Sequence, residues 1–415
     1  MPTNLCSPYF SYGYTDKISY SPGHKINVFL QSKENISLCR LDIYNIDGRV
    51  AFSVASPLTV QTISPDDPSV KGYGFDITSQ IEIPTDLKSG IYLIEKKIPF
   101  IVKTNKPVDF TIIYPSNTTN AYAQSGGKSL YDKNDRPSRV SFLRPIPIQS
   151  NTEYGLKWFA SLSNYNIGYV ADSDMDNFSS IQNSSMLVIV GHSEYWTRKA
   201  RKNFDRFVDG GKDALILSGN TMWWQVRYTD NNQMICHKDQ QLDPISDPLM
   251  KTIVWGHPSL QYSILSSIGA DFSHGGYGLY MDNGWDGYKI VTPTSPLLEG
   301  LNLQKGEILS LPSGEYDGAP ILNFTSDGYP ELDKAMLGFD KIELIGFDRG
   351  ARGGKETIGT FIVFKKTPSS GTVINAASYD WCSERGMGGG GGNSVKKITL
   401  NAIDKLLNKK PIFSN

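Results

Sequence analysis

Residues 186–190 read MLVIV, an uninterrupted apolar run that stops at Gly191. A run so short and continuous leaves no polar face for water. It therefore fits a strand covered on both sides better than an amphipathic helix. The next segment, TRKARKNFDRFVDGG, sets Ala200, Phe204, Phe207 and Val208 on one helical face. Thr197 is placed to cap its N-terminus, and Gly210-Gly211 to end it. ALIL at 214–217 is a second buried-strand run. Strand, helix and strand in this order form the unit of parallel sheets. The spacing predicts an α/β region with a mostly parallel, doubly wound sheet. DFTIIYP (109–115) and NIGYV (166–170) supply further strands, and 152–163 and 394–408 supply helices.

Upstream, residues 12–104 read differently. KINVFLQS alternates polar and apolar residues, LCRLDIYNIDGRVAF places two such runs around Asp47-Gly48, and Ser89-Gly90 precedes IYLIEKKIPFIV. Period-two runs joined by turn dipeptides predict a small antiparallel sandwich. The change of pattern at Asn105-Lys106-Pro107 divides the chain into a β-sandwich domain, 1–104, and a larger domain, 105–415. The later part of that domain carries short β-like pieces, LIGF (344–347) and TFIVF (360–364), and a run of glycines, 388–392, expected to be a surface loop.

A net charge of −1 over 415 residues, without a basic run, argues against nucleic acid or an anionic membrane as partner. No stretch approaches the length of apolar sequence a membrane helix needs. MPTNLCSPYF lacks a basic start and apolar run, so a cytoplasmic location is expected. Cys6, Cys39, Cys236 and Cys382 are scattered with no CxxC pair. That excludes a cysteine-rich zinc site, and four free thiols are expected.

In open α/β sheets ligands bind beyond the carboxyl ends of the strands. After DFTIIYP comes Tyr122; after MLVIV come His192 and Glu194; after ALIL comes Asn220. Gly191–Tyr195 superficially fits a serine-hydrolase elbow with Ser193 as nucleophile, but Tyr195 stands where that tight turn requires glycine. A carboxylate with phenols suits a hard cation such as ferric iron. His192 is suited to shuttle a proton near neutrality, and Asn220 to donate to an oxyanion. Taken singly, each residue has an ordinary use: a packed tyrosine, a satisfied histidine, a glutamate favoured by a helix N-terminus.

The chain resembles the N,N-dimethylformamidase large (beta) subunit-like family. The matching pieces run in order: SNTTNAYAQSGGKSLY, VSFLRP, VIVGHSEYW, LSGNTMWW, PSGEYDG and NAASYDWC. GYTDKISYSPGHKINVFL and SGIYLIEKKIPFIV are similar to the family's preceding β domain. The family's Gly-His-Asp-Glu-Tyr-Trp has Ser193 here in place of Asp. The resemblance implies a glutamine-amidotransferase-like (flavodoxin-like) sheet flanked by helices, holding a mononuclear ferric iron on two tyrosines and one glutamate. Glu194 and Tyr122 match two of these. The second tyrosine is expected just after Arg144-Pro145, where this chain has Ile146; Tyr131 is the substitute candidate. His192, Asn220 and Glu315 match polar residues of the family's site, with Glu315 as general base or proton relay.

Two functions follow. One is iron-dependent hydrolysis of a small amide or formamide, by a homo-oligomer or with a small companion subunit such as some relatives have. The other is a non-catalytic ligand-binding protein of the same fold with an incomplete metal site, motivated by Ile146.

Overall fold

The structure is a computed structural model that describes residues 2–278, 284, 286–352 and 355–414. Strand Lys25–Ser32 follows its sequence alternation, burying Ile26, Val28, Leu30 and Ser32 and leaving the residues between them more exposed. It lies between Phe10–Thr15 and Ser79–Glu82 in a three-stranded sheet. A five-stranded sheet faces it, in the order Ser19–Tyr20, Ile98–Val102, Gly90–Ile94, Ile36–Asn45, Val50–Leu58. Ile26, Val28, Leu41, Ile43, Ile81 and Phe100 fill the space between. Asp47-Gly48 sits at a hairpin turn, whereas Ser89-Gly90 opens strand Gly90–Ile94, whose hairpin turns at 95–97.

Two of the expected free thiols are joined: Cys6 and Cys39 form a disulfide, while Cys236 and Cys382 are free and buried. Spacing could not show this pairing. It depends on the N-terminal segment lying along strand Ile36–Asn45, where Cys6 N–H donates to Arg40 O and Arg40 N–H to Asn4 O. A crosslink over 33 residues mainly restricts the unfolded chain, by about 2–4 kcal/mol. Cys39→Ala is expected to lose that much stability in urea unfolding. Reductant should bring the wild type down to the variant.

The larger sheet has nine strands. Ile167–Ala171, Val108–Tyr114, Ser184–His192, Asp213–Gly219 and Thr372–Asn375 run parallel in that order. Lys355–Lys365, Lys341–Arg352, Gly287–Ile290 and Ile308–Ser310 continue it antiparallel. The MLVIV run is buried on both faces, as expected. Leu187 and Ile189 pack under Phe204, Phe207 and Val208 of helix Arg198–Asp209. Met186, Val188 and Val190 share a core with Leu156 and Phe159 of Ser150–Ala160 and with Val395 and Ile398 of Gly392–Leu407. Thr197 caps the first of these helices by accepting from Ala200 N–H at 3.0 Å.

The glutamine-amidotransferase-like, flavodoxin-like architecture is corrected. Strand accounts for 36% of the chain and helix for 19%, in large mixed sheets with few helices to flank them. Between Gly219 and Thr372 no helix among the described residues exceeds four residues. The strand–helix–strand unit around Arg198–Asp209 is not repeated through the second half of the chain. The Gly-, Pro- and aromatic-rich sequence after Asn220 instead pairs as antiparallel strands and loops, which cover much of the sheet without helices. The glycine run also departs from a plain loop: Gly392 begins the last helix.

Candidate functional site at the carboxyl ends of the parallel strands

His192 pairs in register with Gly219, and Gly191 with Ser218, so two neighbouring strands end level. Ser193-Glu194 and Asn220 therefore leave the sheet side by side. Asn220 has φ +51°, a left-handed conformation that asparagine tolerates better than most residues. The chain after it folds back on Glu194: Met222 N–H donates to Ser193 O, and Trp224 N–H to Glu194 O. Glu194 N–H donates to Thr118 Oγ1 at 2.8 Å, which ties it to helix Ser116–Tyr122, whose last residue is Tyr122. Glu315 arrives from far along the chain. Its strand, Glu315–Gly318, pairs antiparallel with Asp271–Tyr277 and bridges to Ser378 through Tyr316.

These elements bring all six expected residues together. The Tyr131 hydroxyl lies 2.8 Å from each Glu194 carboxylate oxygen. The Tyr122 ring stacks on Tyr131 with centroids 4.0 Å apart and lies 5.4 Å from the His192 ring. Asn220 Nδ2 donates to Glu315 Oε2 at 3.0 Å and more weakly to Glu194 Oε1 at 3.3 Å. His192 Nε2 is 3.2 Å from Glu315 Oε2 and 3.5 Å from Glu194 Oε2. Nε2 is thus within ion-pair reach of both carboxylates, whereas Asn220 Oδ1 is buried without a hydrogen-bond partner. An unpartnered acceptor in such a cluster is what a ligand or water satisfies. Tyr131 alone is well exposed, at 38%, its ring reaching solvent while its hydroxyl stays on Glu194.

Burial pushes the Glu194 carboxyl up, with the His192 charge opposing. Burial also works against the His192 cation, but Glu315 and Glu194 outweigh it and raise the imidazole to about 9. Desolvation works against the half-buried Glu315 carboxylate, but His192 outweighs it and holds the group below its usual range. Burial and the Glu194 charge push both the Tyr122 and Tyr131 phenols up, so they are protonated in the protein alone. Among the described residues no three His, Cys, Asp or Glu side chains are grouped to hold a metal. A cation here would have to use phenol oxygens with Glu194.

Ile146 lies elsewhere, in a small apolar pocket with Ile18, Ile91, Ile101 and Tyr114. Ser193 Oγ faces the Trp196 indole, accepting from Nε1 at 3.0 Å, and Ser193 is buried. Sequence reasoning missed several neighbours. Trp224 Nε1 donates to Glu194 Oε1 at 3.1 Å, and Tyr195 donates to the Tyr131 oxygen at 2.7 Å. The Lys238 ammonium sits 3.6 Å from the Tyr131 ring centroid, a cation–π contact. Trp224 and Tyr195 stand inside the motifs GNTMWW and GHSEYW; nothing near Lys238 marks it.

Arg144, in VSFLRP, was not singled out either. It is fully buried and donates to the carbonyls of Asn120, Ala123, Ser125, Lys128 and Ser141. It thereby clamps the segment carrying Tyr122 and Tyr131. Arg144→Met would strand these acceptors, and a loss of about 3 kcal/mol or more in urea unfolding is expected.

At the carboxyl ends of its parallel strands this sheet gathers two carboxylates, an imidazole, a carboxamide and two phenols, where open sheets place their sites. The family model described as N,N-dimethylformamidase beta subunit-like, C-terminal, matches residues 35–388, and the chain belongs to that family. No curated protein matches the chain.

Proposed function

We propose that this protein hydrolyses small amides, with formamides as the first class to test, at the Glu194–Glu315–His192–Asn220 cluster. The observation that carries the reading is the convergence of a buried and a half-buried carboxylate, an imidazole and a carboxamide on one point, beside stacked phenols. Membership of a dimethylformamidase-like family supports the reaction class.

The donor set fits a hard cation. A carboxylate and phenol oxygens are hard ligands, and the Tyr131 hydroxyl lies 2.8 Å from each Glu194 oxygen. Glu194, Tyr131 and Tyr122 would hold a mononuclear ferric iron, with Tyr131 serving in place of a residue at Ile146. Iron bound there supplies a Lewis acid for the amide carbonyl and makes water more acidic.

The chain's own groups account for the proton traffic. Glu315 accepts the proton of the attacking water as its oxygen bonds to the carbonyl carbon. Asn220 Nδ2 donates to the oxyanion that forms. His192, between the two carboxylates, returns a proton to the nitrogen as the C–N bond breaks, releasing an amine and a carboxylate. The family's description as beta subunit-like supports a companion subunit or self-association.

The test is elemental analysis, an absorption spectrum and amine-release assays on formamide, N,N-dimethylformamide and acetamide with the full chain. About one iron per chain, a tyrosinate-to-iron band and turnover are expected. Well-folded, iron-free protein that takes up no iron and turns over none of the three would overturn the proposal and favour a ligand-binding role.

A further inference from the structure

The Asp317 carboxyl is fully buried, and the proposed mechanism does not use it. It stands two residues after Glu315 on strand Glu315–Gly318. Side chains two apart on a strand point to the same face. Both of these turn toward the chain that follows strand Asp213–Gly219. Glu315 Oε2 accepts from Asn220 Nδ2 at 3.0 Å, and Asp317 Oδ2 accepts from Thr221 N–H at 3.1 Å. One strand thus holds two successive residues of one turn. Asp317 N–H donates to Ala377 O at 2.9 Å, which ties that strand to the segment after Thr372–Asn375.

The turn is a strained one. Asn220 and Met222 have φ of +51° and +56°. Non-glycine residues in the left-handed region persist where their surroundings impose it. The restraint also reaches the neighbouring strand end. Thr221 Oγ1 donates to Ser218 Oγ at 3.0 Å, and Ser218 Oγ accepts from Ser193 N–H at 3.2 Å. Ser193 directly precedes Glu194. One buried carboxyl therefore stands at the head of a hydrogen-bond chain that touches the turns carrying Asn220 and Glu194.

We infer that Asp317 is a positioning residue, which aims the Asn220 carboxamide at the developing oxyanion by holding the Thr221 N–H. The inference rests on the amide-hydrolase reading for its link to turnover. The role needs an accepting oxygen and no charge. Burial pushes the carboxyl up to about 8, with Thr221 opposing, so near neutrality the group is the uncharged acid. Asparagine reproduces its shape and its accepting oxygen.

Amide hydrogen exchange across 217–224, read by mass spectrometry on the full chain, tests the anchor directly. Asp317→Ala should speed exchange there at least about tenfold, and Asp317→Asn should stay within about threefold of wild type. In turnover of whichever amide is hydrolysed, Asp317→Ala should lower kcat at least about tenfold and leave KM within about twofold, because the oxyanion contact is made in the transition state. Asp317→Asn should recover most of that loss. In an Asn220→Ala background, Asp317→Ala should cost less than about twofold more, since the group it aims is gone. A merely structural role would cost the same in both backgrounds. Should thermal unfolding show Asp317→Ala to be unfolded, Asp317→Leu fills the space without an acceptor and takes its place. Unchanged exchange in the folded variant, or equal losses with and without Asn220, would overturn the inference. Loosened exchange in a protein that hydrolyses no amide would overturn the hydrolase reading and leave the anchor standing.

Discussion

Glu194→Gln is expected to empty the site of iron and stop catalysis while leaving the fold intact. The replacement keeps the shape of the side chain. Its amide oxygen can still accept from Trp224 Nε1, 3.1 Å away in the wild type. It removes the carboxylate that both touches Tyr131 and approaches His192. Without that charge the two phenols would lose the anionic co-ligand proposed for them, and neutral phenols are poor ligands. Iron should fall from about one per chain to near zero, the tyrosinate band should vanish, and amide turnover should drop at least about a thousandfold. Thermal unfolding provides the control. Retained iron and turnover in a folded variant would refute the role given to Glu194.

Gly219→Ala should do comparable damage by a different route. A Cβ at Gly219 would lie 2.5 Å from Tyr379 N and 2.8 Å from Glu315 O. Both contacts are backbone, so no side chain can swing aside. The strand Asp213–Gly219 would have to separate from the segments carrying Glu315 and Tyr379. A loss of roughly 3 kcal/mol is expected in urea unfolding. Turnover measured well below the melting transition should also fall, because Glu315 would shift relative to Asn220 and His192. A variant as stable and active as wild type would mean that the two backbones are less tightly apposed than described.

The parts of the site legible in the sequence are those that depend on local pattern. MLVIV and ALIL identified two neighbouring parallel strands, and the residues following them are where such strands present side chains. That logic alone placed His192, Glu194 and Asn220 on one rim. Tyr131 and Glu315 came from resemblance, since neither follows a strand that the pattern could detect. Lys238, Tyr195 and Arg144 act through contacts between distant segments, which composition and periodicity do not record.

The sequence by itself determined the period-two strands of the sandwich, the two-sided burial of the central strands and the capped helix after Thr197, because each is set by side chains a few residues apart. Only the tertiary structure decided the rest: a mixed sheet with few helices, the Cys6–Cys39 crosslink, and the meeting of Glu315 with Glu194. These depend on which distant strands pair and in what register. That choice is made by the fit of whole surfaces, and many different local sequences satisfy it equally well.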